Sequence, residues 1–399
     1  MKILLVTSRF PPRKFGGMEA SSYMLAKNLA RLGHRVTVYA TDIRDRQSRI
    51  PDAKGIKKVD RIEVCYFRNL SNWLASRHLY SPIGMVSALK RELSNFDIIH
   101  LNEYRCLQSI AVHHYAQKYN VPYVLQAHGS LARVISKQRL KKIFDLLWGY
   151  RLLQDAAKLI ALTPMEAEQY QSFGASKAKI ETVPNGIDLA EFEKLPQRGR
   201  FRRKYGLAPD QKMVLYLARL HKIKGPDLLV RAFTSIVSQI KDAKLVIAGP
   251  DEGYLPTLKK LIKKLSIESN ILIVGPLYGK EKLEAYVDAD VYVLPSVYET
   301  FPVAALEASA CGTPIILTER CGIAGIIDGQ AGLVVAYDKD KLSNAILRML
   351  SNEEMRQKFA ERGKSLVREK FNWAKIAEQV ESLYASCVTT NSSQRGKAK

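Results

Sequence analysis

Short apolar runs recur along the chain, each followed by a polar loop and then by residues at helical spacing. In the first half they lie at 2–6, 35–40, 62–67, 97–101, 121–126, 159–163 and 179–183. Runs of this length, rich in Val, Ile and Leu and without strict alternation, predict strands buried on both faces. Between the first two, residues 18–32 set Leu25, Leu29 and Leu32 on one helical stripe that Gly33 closes. A second series starts at 213–217 and continues at 245–248, 271–274, 291–294, 315–317 and 333–335. Strand alternating with helix, twice over, predicts two Rossmann-like α/β domains, each a parallel sheet covered on both faces. The turn-rich Pro184-Asn185-Gly186-Ile187-Asp188 separates them, so the domains are expected at 1–188 and 189–370, with a ligand cleft between them. Ile376, Val380 and Leu383 predict a helix over 371–387, and the polar, basic residues 388–399 are expected to be a disordered tail.

One stretch concentrates candidate chemistry. After the strand at 291–294, residues 304–311 are helix formers, with Thr300 placed as N-cap and Pro302 in the first turn. A helix N-terminus at the carboxyl end of a parallel strand suits a phosphate. Carboxylates accept hydrogen bonds from vicinal diols. Glu299 and Glu307 are therefore either solvated charges or groups facing the two ends of a sugar nucleotide.

Arg219 and Lys224 follow the strand at 213–217 and read either as surface charge or as a diphosphate clamp, one by its fork and one as a point charge. Gly16 and Gly17 follow the first strand without the G-x-G-x-x-G pattern, which weakens a dinucleotide reading. They leave a backbone that a ligand can approach closely. His128, then Gly129, sits at a strand's carboxyl end, where open α/β sheets bind ligands; a structural, hydrogen-bonded histidine is the alternative. Asp288-Ala289-Asp290 spells D-x-D but joins a helix directly to a strand, so Asp290 is read as structural. Residues 275–280 have the wrong spacing for a Walker A loop. No histidine cluster has metal-ligand spacing, and no metal site is expected.

Composition narrows the picture in one respect. Apolar content of 47% and charged content of 25% are ordinary for a globular chain of 399 residues. No apolar run is long enough to span a bilayer, and the N-terminus reads as a first strand and not a leader. Five scattered cysteines suggest reduced cytosolic thiols. The net charge of +23 favours anionic partners without choosing among them, and no nucleic-acid module accompanies it. Residues 133–158 interleave Arg139, Lys141, Lys142 and Arg151 with Leu140, Ile143, Leu146, Leu147, Trp148 and Tyr150. Either that apolar face packs into the first domain, or the helix lies on an anionic membrane.

Glu299, seven residues, Glu307, then Ala308 and Cys311-Gly312-Thr313-Pro314, resembles the E-x7-E signature of retaining group 1 glycosyltransferases with the GT-B fold. Gly16-Gly17-Met18-Glu19 through Val38, His128 and the Arg219/Lys224 pair are similar to that family's motifs and stand in the same order. Gly249 opens a loop resembling another donor-side element, Ala218 replaces a common glycine, and Asn102-Glu103 departs from the family's usual residues. The resemblance implies a retaining, metal-independent sugar transfer, with no cofactor, from a UDP- or GDP-linked donor to a glycan or lipid-linked acceptor. That transfer would belong to cell-surface polysaccharide or glycoconjugate synthesis. Its catalytic set would be His128, Arg219, Lys224 and Glu299. Gly16, Gly17, Gly249, Thr300, Phe301, Pro302, Val303 and Glu307 would hold the donor. It also implies that the last helix crosses back to the first domain, and a cytoplasmic protein, peripheral on the inner face of the membrane, without a specific nucleic-acid partner. A non-catalytic sugar-nucleotide or anionic-polymer binder on the same scaffold, or a nucleotide-sugar epimerase, are the alternatives.

Overall fold

The computed structural model describes residues 1–11, 17–44, 48–51, 55–76, 79–133 and 138–397. Two compact units are present: residues 1–185 with 373–399, and residues 186–372. The first crossing point falls inside the Pro184–Asp188 turn, and the second falls where Phe371-Asn372 meets Trp373.

The first unit is built on eight strands: β1 (Lys2–Val6), β2 (Arg35–Thr41), β3 (Ile56–Val59), β4 (Ile62–Phe67), β5 (Ile98–Leu101), β6 (Tyr123–Gln126), β7 (Lys158–Ala161) and β8 (Ile180–Thr182). Their order is β3-β4-β2-β1-β5-β6-β7-β8, parallel throughout except for the β3–β4 hairpin. Most central strands are buried at every position, as their unbroken apolar runs require. One face is covered by helices Gly17–Arg31 and Trp373–Lys397 through Leu25, Leu29, Ile376, Val380 and Leu383. The other is covered by Met85, Leu89, Val112, Leu152 and Leu153 from three further helices. Leu32, expected on the buried stripe, lies beyond the helix end and is exposed.

The terminal helix belongs to this unit and is longer than the sequence suggests. It runs to Lys397, so most of the 388–399 segment expected to be disordered is helical. Helix hydroxyls bonding back one turn, as Thr389 and Ser392 do, satisfy its polar side chains without breaking it.

The second unit has six parallel strands: β9 (Met213–Leu217), β10 (Lys244–Ala248), β11 (Ile271–Gly275), β12 (Val291–Leu294), β13 (Ile315–Thr318) and β14 (Gly332–Val335). Their order is β11-β10-β9-β12-β13-β14. Leu229, Phe233 and Ile236 of helix Pro226–Val237 are fully buried, and that helix packs against Lys339–Ser351.

In both sheets the order of the parallel strands reverses at the centre: between β1 and β5 in the first unit, and between β9 and β12 in the second. Crevices at the carboxyl ends of such strands are where open α/β sheets take ligands. The residues that follow those four strands are Ser8-Arg9, Asn102-Glu103, Ala218-Arg219 and Pro295–Thr300.

Candidate functional site

In the second unit the loops after β9 and β12 are laced together. Val297 N–H donates to the Ile223 carbonyl at 2.8 Å. Gly225 has φ +65°, and a Cβ there would lie 1.9 Å from the Pro295 carbonyl oxygen. Gly249, after β10, has φ +142°, and its Cβ would lie 1.8 Å from the Ala218 carbonyl. Only glycine fits either place. These contacts hold the Arg219–Lys224 loop against its neighbours.

Each charged candidate in this unit already has a partner. The Lys224 ammonium donates to the Glu299 carboxylate, with both side chains mostly buried. Arg219, half exposed, makes a forked contact to Glu252 at 2.6 and 2.8 Å. Glu307 accepts from Lys282 Nζ at 2.7 Å and from Tyr286 Oη at 2.9 Å. Lys282 and Tyr286 stand four apart on helix Gly279–Asp288 and so share one face. The sequence reading missed both; their i, i+4 spacing, one element upstream of the glutamate, was the available signal.

The E-x7-E segment differs locally from expectation. Thr300 is not the N-cap: its hydroxyl donates to Tyr298 Oη, and Pro302 holds the cap position ahead of helix Val303–Ala310. Phe301 does not offer its ring to solvent. It packs edge-on against Phe371 with centroids 5.8 Å apart, so its side chain serves the core. Asp288 and Asp290 are structural. Asp288 accepts from the N–H groups of Gly199 and Arg202, and Asp290 from Met213 N–H and the guanidinium groups of Arg198 and Arg202.

In the first unit a different chemistry gathers at the switch point. His128 has φ +50° and Gly129 φ +77°, a sharp left-handed turn that strains a non-glycine residue. The turn is held by Glu166, whose carboxylate accepts from Gly129 N–H and, at 2.7 Å, from Leu162 N–H. Burial pushes that carboxyl up to about 7 even though both N–H groups favour the anion. His128 Nε2–H donates to Asn102 Oδ1 at 3.1 Å, which leaves Nδ1 as an acceptor, enclosed and without a partner. Enclosure first, and then the adjacent His100, push the His128 imidazole down to about 3, so it is neutral near pH 7.

Beneath it, His100 takes a hydrogen bond from Tyr384 of the terminal helix and donates to Gln126 Oε1 at 3.2 Å. Asn102 Nδ2 and Gln108 Oε1 are likewise enclosed and unpartnered. Glu103 accepts from Ser8 Oγ and Ser8 N–H, and burial raises its pKa. Arg9 pairs with Glu19 at 3.2 Å and donates to Tyr80 Oη. Gly17 opens helix Gly17–Arg31; Gly16 lies outside the described residues.

The basic segment departs most from a soluble-domain pattern. Residues 134–137 lie outside the described residues. Gln138–Phe144, a π-turn at Asp145–Gly149, and Tyr150–Asp155 follow one another without a break. Of the two readings of the apolar face, inward packing does not hold at its centre: the face is largely turned outward, with Leu140 63% and Leu146 76% exposed.

With this geometry in place, the similarities to known proteins become specific. Residues 197–366 match the model for group 1 glycosyl transferases, and residues 15–191 match that for glycosyltransferase family 4. An uncharacterised glycosyltransferase of Methanocaldococcus jannaschii is 28% identical over 398 residues, covering 96% of this chain and 98% of that one. Among solved structures, sucrose-phosphate synthase from Thermosynechococcus elongatus superposes with a TM-score of 0.79 at 24% identity, covering 98% of this chain and 99% of its own. Anabaena HepE in complex with UDP and glucose gives 0.76 at 18% identity, covering 97% and 100%. The chain is a glycosyltransferase with the GT-B fold.

Proposed function

We propose that this glycosyltransferase is a retaining, metal-independent enzyme. It moves a sugar from a nucleoside diphosphate donor, UDP-linked in the first instance, to a hydroxyl of a glycan or lipid-linked acceptor in cell-surface polysaccharide or glycoconjugate synthesis. The observation that carries this reading is the set of three ion pairs at the second sheet's switch point: Lys224–Glu299, Arg219–Glu252 and Lys282–Glu307. A diphosphate arriving there competes for Arg219 and Lys224 as an anion with two bridging groups. Lys224 then exchanges Glu299 for phosphate, and the released Glu299 carboxylate accepts from hydroxyls of the donor sugar. Glu307, each oxygen of which accepts one hydrogen bond, from Lys282 or Tyr286, is assigned to the ribose diol through its remaining lone pairs. That the HepE complex contains UDP and glucose supports the choice of a uridine donor.

On departure the diphosphate gains negative charge. Arg219 and Lys224 stabilise that charge without reorganisation if they are already in contact with it, the usual large electrostatic contribution to transfer. The leaving phosphate, and not a carboxylate of the protein, takes the acceptor proton as the new bond forms on the face the diphosphate leaves. His128 is assigned to hold a sugar hydroxyl through its bare Nδ1 as a neutral hydrogen-bond acceptor. A group with a pKa near 3 is too weak a base to deprotonate an alcohol. Gly249 and the backbone after Pro302 are assigned to the donor side, and the enzyme to the cytoplasm.

The test is nucleoside diphosphate release from a panel of UDP- and GDP-sugars with glycan and lipid-linked acceptors, with the product anomer read by NMR. The reading expects one donor to be turned over with retained configuration, and turnover to fall by about a thousandfold in Glu299→Gln. Inversion would overturn the stereochemical assignment. Turnover unaffected in Glu299→Gln would overturn the site.

A further inference from the structure

A surface helix ordinarily buries its apolar side and solvates its charges. The segment 138–155 of the first unit inverts that order at its centre. Its inward anchor is a carboxylate: Asp145 is fully buried, receives both arms of Arg105 at 2.8 Å, and receives Arg133 Nε at 2.9 Å. Arg105 in turn ties down the Ser130 and Leu131 carbonyls. The inversion falls at a π-turn, Asp145–Gly149. Asp145 and Gly149, four apart, both face inward while Leu146, Leu147 and Trp148 between them all face out. Gly149 has to be glycine, since a Cβ there would lie 2.2 Å from Tyr104 Oη.

Outside, Leu140, Ile143, Leu146, Leu147, Trp148 and Tyr150 are exposed within eleven residues. Arg139, Lys142 and Arg151 are exposed among them. Scattered exposed leucines are unremarkable in a globular protein, but a contiguous row in one helix marks a contact surface. The interleaved cations fix the partner's chemistry. A protein groove complementary to this row would have to pair three cations within an apolar contact. An anionic bilayer offers both halves at once, acyl chains beneath a plane of negative headgroups. The excess of 62 Lys and Arg over 39 Asp and Glu adds long-range attraction of the same sign.

We propose that residues 139–151 form a membrane-docking face. The leucines and Trp148 enter the acyl boundary of an anionic leaflet, Arg139, Lys142 and Arg151 contact its headgroups, and the buried Arg105–Asp145 pair fixes the face to the domain. The proposal is independent of the transfer reading, because vesicle binding is measured without donor or acceptor.

The experiment is flotation of the full chain with vesicles of phosphatidylcholine alone and of phosphatidylcholine mixed with phosphatidylglycerol, at low and high salt. Trp148 emission is followed in parallel, with Trp148→Phe as the blank for the other two tryptophans. The face expects binding to the mixed vesicles that weakens with salt, together with a blue shift lost in Trp148→Phe. Leu146→Gln combined with Leu147→Gln lowers the partition coefficient at least tenfold, with an unchanged melting temperature because those side chains touch little of the fold. Arg139→Glu with Lys142→Glu removes the preference for phosphatidylglycerol. The proposal fails if the wild type does not float with anionic vesicles at low salt, or if the double glutamine variant floats as well as the wild type. It also fails if light scattering shows a dimer that the same variant converts to monomer, since the row would then be a contact between two copies.

Discussion

The two units hold different mixtures of polar groups at their switch points. In the second, every cation and carboxylate of the candidate site is matched with another: Lys224 with Glu299, Arg219 with Glu252, and Lys282 with Glu307. In the first, three neutral groups are enclosed and left with open valences, namely His128 Nδ1, Asn102 Nδ2 and Gln108 Oε1, against one, Ser296 Oγ, in the loops at the second unit's switch point. Enclosed polar atoms without partners cost free energy and persist where something else satisfies them. The difference assigns ligand chemistry. Matched charges suit an anion that exchanges partners on arrival. Open acceptors beside an open donor suit hydroxyls, which both give and take a hydrogen bond. The surfaces differ too: of the fifteen large apolar side chains exposed among the described residues, only Tyr278 belongs to the second unit.

The sharpest way to break the contrast is to remove a matched charge. Glu299→Gln keeps the shape but leaves Lys224 without its counter-charge and would give the donor sugar one neutral acceptor oxygen in place of a carboxylate. Transfer is expected to fall by about a thousandfold in kcat/KM, of the size seen when a preorganised electrostatic partner is lost. Steady-state donor turnover measures it, and a drop of less than tenfold would detach Glu299 from the chemistry.

Next in size is a backbone change. Gly249→Ala puts a Cβ against the Ala218 carbonyl at a φ that L side chains rarely adopt. It should destabilise the second unit by about 3 kcal/mol or more, read as a fall in its melting temperature with the first unit unaffected.

The enclosed histidines give the first unit its own signature. His100 and His128 are pushed down to about 4 and about 3, both chiefly by burial. Their folded values lie below the unfolded value near 6.5. The stability they protect is therefore complete above that pH and is lost as pH falls toward the folded values. Each should contribute about 2 kcal/mol of loss between pH 7 and pH 5. Urea midpoints measured across that range check this, with His128→Asn expected to remove its own share of the slope.

The smallest effect sharpens the assignment of Glu307. Lys282→Met leaves the carboxylate in place with Tyr286 but without its cation. The Michaelis constant for the donor is expected to rise about tenfold with kcat little changed, the mark of an interaction equal in ground and transition states. A fall in kcat alone would move Lys282 into the chemical step.

Much of this architecture was legible in the sequence because unbroken Val, Ile and Leu runs between helical stripes leave few alternatives to a doubly covered parallel sheet. Lys2–Val6 and Val291–Leu294 are examples. Positions that depend on backbone chemistry, such as Gly249 and the loop at Glu299, were legible as places. What was not legible was partnership. The i, i+4 spacing of Lys282 and Tyr286 marks a shared face but does not tell that it meets Glu307, and nothing local tells that Glu166 holds the turn at His128, because both contacts form only when the flanking elements pack together. The cap at Pro302 instead of Thr300 and the buried ring of Phe301 were missed for a related reason. Phe301 is drawn inward by Phe371, seventy residues downstream. The outward row at 140–150 could not be told from an inward one by spacing, since a period marks a face and not its direction, and the inward side is set by Asp145 pairing with the distant Arg105.

The central claim is that the matched charges of the second unit are a nucleoside diphosphate site. Calorimetric titration of UDP into the wild type, Lys224→Met and Glu307→Ala tests it most directly. The account predicts one site in the wild type and at least tenfold weaker binding in each variant, through the diphosphate in one and the ribose in the other. Wild-type binding that both variants leave unchanged would place the nucleotide elsewhere and contradict it.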